Sequence, residues 1–230
     1  MNIKNTTNQQ KICITGDNHG KYDVLFRFIE AYDIRDCILI HVGDGGIGFI
    51  SAEKQQRQFE HYNDRFKSRG IEYLSIRGNH DDPAYFDGSV DLSHFKLLSD
   101  YHTQIINDEK FLFVGGAISI DRKIRKEGFS YWKDEPFVLD DSKIEECDVL
   151  ITHSAPIWLG EFTKQGILSW CEKDEFLWRD CLQEREDHDI LFELAKPKKS
   201  YAGHFHQHFS VDINGCHAKI LAELEILEHK

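Results

Sequence analysis

The 230-residue sequence has little proline, no long apolar run and no segment of low complexity. With 4 prolines and no Pro/Ser-rich stretch it offers no candidate linker, so we expect a single domain over residues 1–230. Apolar residues never run together for the ~18 positions that a membrane-spanning helix needs, and the first residues lack the apolar core of a signal peptide. We therefore expect a cytoplasmic protein that does not use a membrane as a partner.

Closely spaced cysteine pairs are also missing. The 6 cysteines are scattered, and no two of them form a Cys-x-x-Cys motif. Cys13 and Cys37 lie inside apolar runs, which is typical of buried, reduced thiols. The spacing therefore argues against a disulfide framework and against a structural zinc site made of thiolates.

Basic residues are scarce relative to acidic ones. The sequence has 28 Lys and Arg against 40 Asp and Glu, a formal net charge of −12. Long duplex nucleic acid is a poor partner for such a surface, because binding it requires many phosphates to be neutralised. A small phosphorylated substrate, a nucleotide among them, stays compatible because bound cations can reverse the local field.

Short apolar runs that end in polar loops are present throughout the sequence. They predict strands at 12–15, 37–42, 71–76, 104–106, 111–114, 148–152, 201–203, 208–213 and 216–226. Helical spacing of apolar residues predicts helices at 22–32, 51–67 and 173–195. The β-α-β-α-β order of the first third favours a parallel or mixed sheet with helices on its outer face.

Metal-ligand side chains follow the ends of these predicted strands. They are Asp17 and His19, Asp44, Asn79 with His80, His153, and His204 with His206. Ligands bind outside the carboxyl ends of strands in open α/β sheets, so these side chains are expected to meet in one cleft. Each motif alone is typical of a turn, whereas the full set predicts a site for a first-row divalent ion.

The motifs resemble those of the calcineurin-like metallophosphoesterases. The matching segments are Gly16-Asp17-Asn18-His19, Gly43-Asp44, Gly78-Asn79-His80-Asp81, His153 and Gly203-His204-Phe205-His206. The resemblance implies an α/β fold, a mixed two-sheet β-sandwich flanked by helices in four α/β/β/α layers. It also implies two divalent cofactors, with manganese preferred and iron, zinc or nickel as alternatives.

The resemblance further implies a role for each matching residue. One ion would be held by Asp17, His19 and His206, the other by Asn79, His153 and His204, with Asp44 bridging the two. His80 would contact the phosphate and protonate the leaving oxygen. The implied reaction is hydrolysis of a phosphomonoester or phosphodiester by a hydroxide that bridges the ions. A nucleotide pyrophosphatase, a nuclease and a non-catalytic interaction module with the same fold are the alternatives.

One position departs from the family pattern. Many members carry an acidic residue three positions after the aspartate of the Gly-Asp motif, where it supports the catalytic histidine, and this sequence has Ile47 there. Either Asp81 or Asp82 orients His80 instead, or His80 acts mainly by hydrogen bonding.

Three arginines and one segment are candidates for substrate contact. Arg77 would stabilise phosphate charge or form a salt bridge, and Arg122 and Arg125 belong to a cationic run that would bind phosphate or lie in solvent. Residues 154–183 contain Trp158, Trp170 and Trp178 and form a candidate cap over the cleft. Tryptophans that anchor a core are the alternative for this segment.

Overall fold

The first third of the chain folds as the predicted β-α-β-α-β unit in the computed structural model, which describes residues 9–230. Across these residues the strands are β1 (Lys11–Thr15), β2 (Cys37–His41), β3 (Ile71–Ser75), β4 (Phe95–Leu97), β5 (His102–Ile106), β6 (Glu109–Val114), β7 (Val149–Thr152), β8 (Lys199–Ala202), β9 (Phe209–Ile213), β10 (Cys216–Ile220) and β11 (Ile226–Glu228). The helices are α1 (Tyr22–Ala31), α2 (Ala52–Lys67), α3 (Leu168–Cys171) and α4 (Leu177–Ala195). None of these described helices is long and apolar enough to cross a lipid bilayer.

The described strands form two mixed sheets. One sheet has the order β11-β1-β2-β3-β4, and the other has the order β5-β6-β7-β8-β10-β9. The inner strands pair in parallel, whereas β11, β5 and β9 join their neighbours antiparallel. The predicted two-sheet mixed sandwich is confirmed.

Apolar side chains fill three interfaces between the layers. Tyr22, Phe26 and Phe66 pack α1 and α2 against the first sheet. Ile40 and Phe113 meet between the two sheets, and Leu191 with Leu150 packs α4 onto the second sheet. Because β2 is covered on both faces, all of its residues are buried, which explains its continuous apolar sequence.

The predicted strand at 216–226 is wrong in its length. The chain leaves the second sheet after β10, crosses between the sheets at 221–225 and pairs with β1 as β11. Leu224 has a φ of 58° at this crossing, and its amide donates to the carbonyl oxygen of Asp17 over 2.9 Å. A left-handed leucine in an alternating run gives no sequence signal, because the residues that favour this conformation are glycine and asparagine.

A strand that was not predicted, β4, and the start of the last long helix also differ from the predictions. β4 spans three residues, too few for an alternating pattern to be recognised. The last long helix begins at Leu177 rather than near 173, because Asp174 and the residues around it form a turn in which its carboxylate accepts from the Phe176 amide. The helix ends at Ala195, and its C-cap residue Lys196 adopts a φ of 48° directly before Pro197.

Candidate metal centre

The carboxyl ends of β1, β2 and β3 in one sheet and of β7 and β8 in the other open onto the same cleft. The side chains that meet there are Asp17, His19, Asp44, Asn79, His80, His153, His204 and His206. They include every metal ligand expected from the sequence. The sandwich therefore brings together residues that lie nearly two hundred positions apart in the chain.

The first group of ligand side chains comes from the loops after β1 and β8. His206 Nε2 lies 3.2 Å from Asp17 Oδ2 and 2.9 Å from His19 Nε2. Together with Asp44, these residues offer ligand atoms that all lie within 4.8 Å of one another. One divalent ion fits among such atoms.

The second group comes from the loops after β3, β7 and β8. Asn79 Oδ1 lies 3.1 Å from His153 Nε2 and 2.9 Å from His204 Nδ1. His153 is fully buried, and its Nδ1 donates to the carbonyl oxygen of Val42 over 2.7 Å. That hydrogen bond fixes the ring orientation and leaves Nε2 free to act as a ligand.

Asp44 lies between the two groups. Its Oδ2 is 3.7 Å from His19 Nδ1, and its Oδ1 is 3.2 Å from His153 Nε2. The His80 amide also donates to Oδ1 over 2.7 Å. Burial opposes ionisation of this carboxyl, but the nearby His153 and other imidazoles lower the pKa of Asp44 below its usual range and keep it anionic.

The glycines of the motifs are required by close packing around these carboxylates. A Cβ at Gly78 would lie 2.0 Å from Asp44 Oδ1, and a Cβ at Gly203 would lie 2.1 Å from Asp17 Oδ1. Either contact is far inside the van der Waals limit. A side chain at these positions would displace the ligand carboxylate itself.

The chemistry of the site fits divalent cations. Asp17 Oδ1 is buried and accepts no hydrogen bond from the described residues, which is costly for a carboxylate without a cation nearby. Burial alone lowers the pKa of His153, but Asp44 and Asp17 raise it to about 10, so without a cation the carboxylates favour a protonated imidazole, and a metal ion bound at Nε2 would displace that proton. Imidazole nitrogen with carboxylate and amide oxygen is a donor set for first-row metals.

His80 is supported by an arginine rather than by a carboxylate. Arg125 Nη1 lies 2.8 Å from His80 Nδ1, and Arg125 is held by Asp121 Oδ1 at 2.5 Å and by the Ser130 carbonyl oxygen at 3.1 Å. Burial lowers the pKa of His80, and the positive charge of Arg125 contributes in the same direction, partly opposed by Asp44. Arg125 Nη2 also lies 3.3 Å from His80 Nε2, so the guanidinium contacts both ring nitrogens.

Neither of the carboxylates expected to support His80 does so. Asp81 accepts from the backbone amides of Gly45, Ile47 and Gly78 over 2.8–3.1 Å, and Asp82 accepts from the Ala84 amide. Burial raises the pKa of Asp81 to about 6, with Asp44 adding to the shift. Asp81 therefore joins the loops that follow β2 and β3 to each other.

Arg77 and Arg122 do not reach the cleft. Arg77 is buried, pairs with Asp100 Oδ2 at 2.7 Å and donates to the carbonyl oxygens of residues 134–136. Arg122 pairs with Asp174 at 2.6 Å and with Asp180 at 2.7 Å. The salt-bridge alternative therefore describes Arg77, whose own side chain is buried while that of Asp100 is partly exposed. Arg122 is neither a cleft residue nor a solvated one.

Ser119 belongs to the site although the motifs do not include it. Its Oγ accepts from Asn79 Nδ2 over 3.0 Å, which directs Asn79 Oδ1 toward His153 and His204. The Ser119 amide donates to Glu135 Oε1 over 2.7 Å, and burial raises the pKa of Glu135 to about 8. The sequence signal is weak, because Ser119 follows the Gly115-Gly116 pair that leaves β6.

A cleft of about 510 Å³ lies over these residues. Six residues of the candidate cap between positions 161 and 170 line it, as do Ile120, Arg125 and Phe205. Trp170 reaches the cleft, whereas Trp158 packs edge-on against Phe192 with ring centres 5.0 Å apart. Trp158 therefore fits the alternative in which a tryptophan of this segment anchors the core.

Comparison with known proteins agrees with this geometry. The model of the calcineurin-like phosphoesterase family matches residues 10–212. This chain belongs to that family. Family membership supports a phosphoester hydrolase, and the cluster of ligand side chains is a candidate site for a divalent metal ion. The curated proteins contain no significant match.

The solved structures that match this chain have low sequence identity to it. An archaeal phosphodiesterase has 15% identity and a TM-score of 0.43, with 93% of this chain and 84% of that chain covered. A predicted phosphoesterase from Streptococcus pneumoniae has 12% identity and a TM-score of 0.35, with 93% and 72% covered. GAP50, the anchor in the inner membrane complex of Plasmodium, has 12% identity and a TM-score of 0.45, with the same coverage.

Proposed function

We propose that this protein is a phosphoesterase that depends on two metal ions and hydrolyses a phosphomonoester or a phosphodiester. The position of Asp44 carries the proposal. Its two carboxylate oxygens face different ligand groups, with Oδ1 at 3.2 Å from His153 and Oδ2 at 3.7 Å from His19. A carboxylate between two sets of ligands is suited to bridging two cations.

The ligand residues would divide between the two ions. Asp17, His19 and His206 would hold one, Asn79, His153 and His204 would hold the other, and Asp44 would contact both. When bound, two divalent cations supply Lewis acidity that activates water and neutralises phosphate charge. Manganese is our first choice for this mixed oxygen and nitrogen set, with iron, zinc or nickel as alternatives.

His80 and Arg125 would act on the substrate from the protein side. Arg125 contacts both ring nitrogens of His80, with Nη1 at 2.8 Å from Nδ1 and Nη2 at 3.3 Å from Nε2. Nε2 lies 3.9 Å from Asp44 Oδ2 and thus faces the metal centre. From there it would donate to a phosphate oxygen or to the leaving oxygen, while Arg125 would contribute positive charge.

The test is hydrolysis by the full chain after reconstitution with Mn²⁺. Substrates would be p-nitrophenyl phosphate, bis-p-nitrophenyl phosphate and a panel of nucleotides. We expect turnover of at least one ester and a loss of about 10³-fold or more in kcat/KM for Asp44→Asn, which corresponds to roughly 4 kcal/mol of transition-state stabilisation. Asp64→Asn, an exposed change of the same chemistry on α2, is the matched control.

Two outcomes would count against the proposal. Unchanged turnover in Asp44→Asn would remove the bridging role, because the carboxylate is the feature shared by both ligand groups. Absence of turnover with every metal and ester would favour the non-catalytic module, which the retention of all the ligand residues and of His80 disfavours.

A further inference from the structure

Aromatic and aliphatic side chains form a wall that begins at the metal centre. We call Ile120, Phe162, Ile167, Trp170 and Phe205 the apolar wall, and each lines the cleft. Phe205 lies between the two histidines of the Gly-His-x-His motif, with its ring 4.9 Å from that of His204. The Phe162 ring follows, edge-on to Phe205 at 5.8 Å. A group attached to a phosphate at the metal centre would therefore reach these rings.

The wall is built before any ligand binds. Phe162 stacks on Trp178 with a ring separation of 5.8 Å and an interplanar angle of 14°. The guanidinium of Arg185 lies 5.5 Å from the Phe162 ring and 4.9 Å from the Phe205 ring. A fixed aromatic surface of this kind favours a flat partner, because little side-chain freedom is lost on binding.

The charges around the cleft limit how many phosphates the substrate carries. Among the described residues that line the cleft, Arg125 is the one arginine or lysine, and Asp121 already pairs with it. Glu161 adds a further carboxylate to the same lining. A second or third phosphate beyond the metal centre would meet no additional cation, unlike the basic track that a polynucleotide requires.

We infer that the substrate is an ester of a single phosphate whose organic group is a flat apolar or aromatic ring seated on the apolar wall. This inference rests on the proposed function, because the metal centre must hold the phosphate. It favours an aryl or similar ester over polyphosphates and nucleic acid strands.

Binding of non-hydrolysable analogues tests the inference separately from catalysis. Isothermal titration calorimetry of the Mn²⁺-loaded protein would compare phenylphosphonate with methylphosphonate. We expect the phenyl compound to bind about 10-fold tighter or more, and Phe162→Ala to remove most of that preference while methylphosphonate affinity is retained. Phe176→Ala, at an exposed aromatic outside the cleft, is the control and should keep the preference.

The outcomes separate the two proposals. Equal affinities for the two phosphonates in a protein that hydrolyses esters would overturn the substrate class alone. A preference that persists in Phe162→Ala and in Trp170→Ala would also overturn it, because the ring would then bind elsewhere. Normal turnover by Asp44→Asn would instead refute the metal mechanism, whatever the phosphonate affinities.

Discussion

The floor and the apolar wall of the cleft are positioned in different ways. The floor consists of ligand residues that each follow a strand end within a few positions, so the sheets place them directly. The wall depends largely on residues 161–170, a segment with little regular structure apart from α3. A change in the loop segment can therefore alter which substrate fits the apolar wall without moving the ligand residues of the floor.

Two adjacent charged residues on α4 connect this helix to both loops beside the cleft. Glu184 accepts from the amides of Ile118 and Phe137, each over 3.3 Å. Arg185 Nη2 donates to the carbonyl oxygens of residues 156, 157 and 159 over 2.6–3.1 Å. Both side chains are buried, so each hydrogen bond replaces water that the loop would otherwise bind.

Replacement of Arg185 should give the largest effect, disturbing the apolar wall while the floor keeps its metal ligands in place. We expect Arg185→Met to lower the free energy of unfolding by about 3 kcal/mol, because buried carbonyl groups lose their donor. Phenylphosphonate binding should weaken markedly, whereas the Mn²⁺ content should stay that of the wild type. Urea unfolding and metal analysis would check this, with the exposed Arg179→Met as control. Loss of metal together with the wall would contradict independent positioning.

The pH dependence of stability tests the other α4 contact. Burial raises the pKa of Glu184 from 4.5 to about 7, so between these values the folded state binds a proton that the unfolded state has lost. The stability contributed by this group is complete below pH 4.5 and is lost as the pH rises through 7, by about 3 kcal/mol in total.

Glu184→Gln should therefore show a smaller fall in stability between pH 5 and pH 8 than the wild type. The glutamine side chain has one acceptor fewer than glutamate at every pH, which alters the absolute stability of the variant. The quantity to compare is therefore the difference in the free energy of urea unfolding between pH 5 and pH 8. Glu186→Gln, an exposed change on the same helix, should keep the wild-type difference. An identical fall in Glu184→Gln would show that this carboxyl ionises normally in the folded protein.

Replacement of Ser119 should give the smallest effect, and that effect should be confined to the floor. We expect Ser119→Ala to weaken Mn²⁺ affinity by about 10-fold, since Asn79 loses the acceptor that orients its amide. Ser119→Thr, which keeps the hydroxyl, should restore the affinity, and phenylphosphonate should keep its preference over methylphosphonate. Ser142→Ala is an exposed control. Unchanged metal affinity in Ser119→Ala would remove its positioning role.

The sequence predicts the floor well because local rules determine it. Asp17, Asn79 and His204 each follow an apolar strand, and such strands and their order can be recognised from the chain alone. The metal roles of these residues nevertheless stay proposals until ion binding is measured. The two-sheet arrangement that brings the strand ends together is confirmed.

The roles of the arginines could not be predicted in this way. Arg122 and Arg125 share one cationic run, but Asp174 and Asp180 bind the first while His80 and Asp121 contact the second. Each arginine contacts residues more than forty positions away, which are Asp174 and Asp180 for Arg122 and His80 for Arg125. Tertiary packing therefore decides which of the two arginines faces the cleft, and the local sequence does not indicate which one it is.

The crossing at 221–225 has a consequence for biosynthesis. Gly16 donates to the carbonyl oxygen of Glu225, and Leu224 donates to that of Asp17, both over 2.9 Å. During translation the first ligand loop leaves the ribosome on the order of ten seconds or more before the segment that fastens it. The proposed metal centre would therefore stay incomplete until residues 221–225 have been synthesised and have paired with the first ligand loop. An ion held by these residues would be captured only after that pairing.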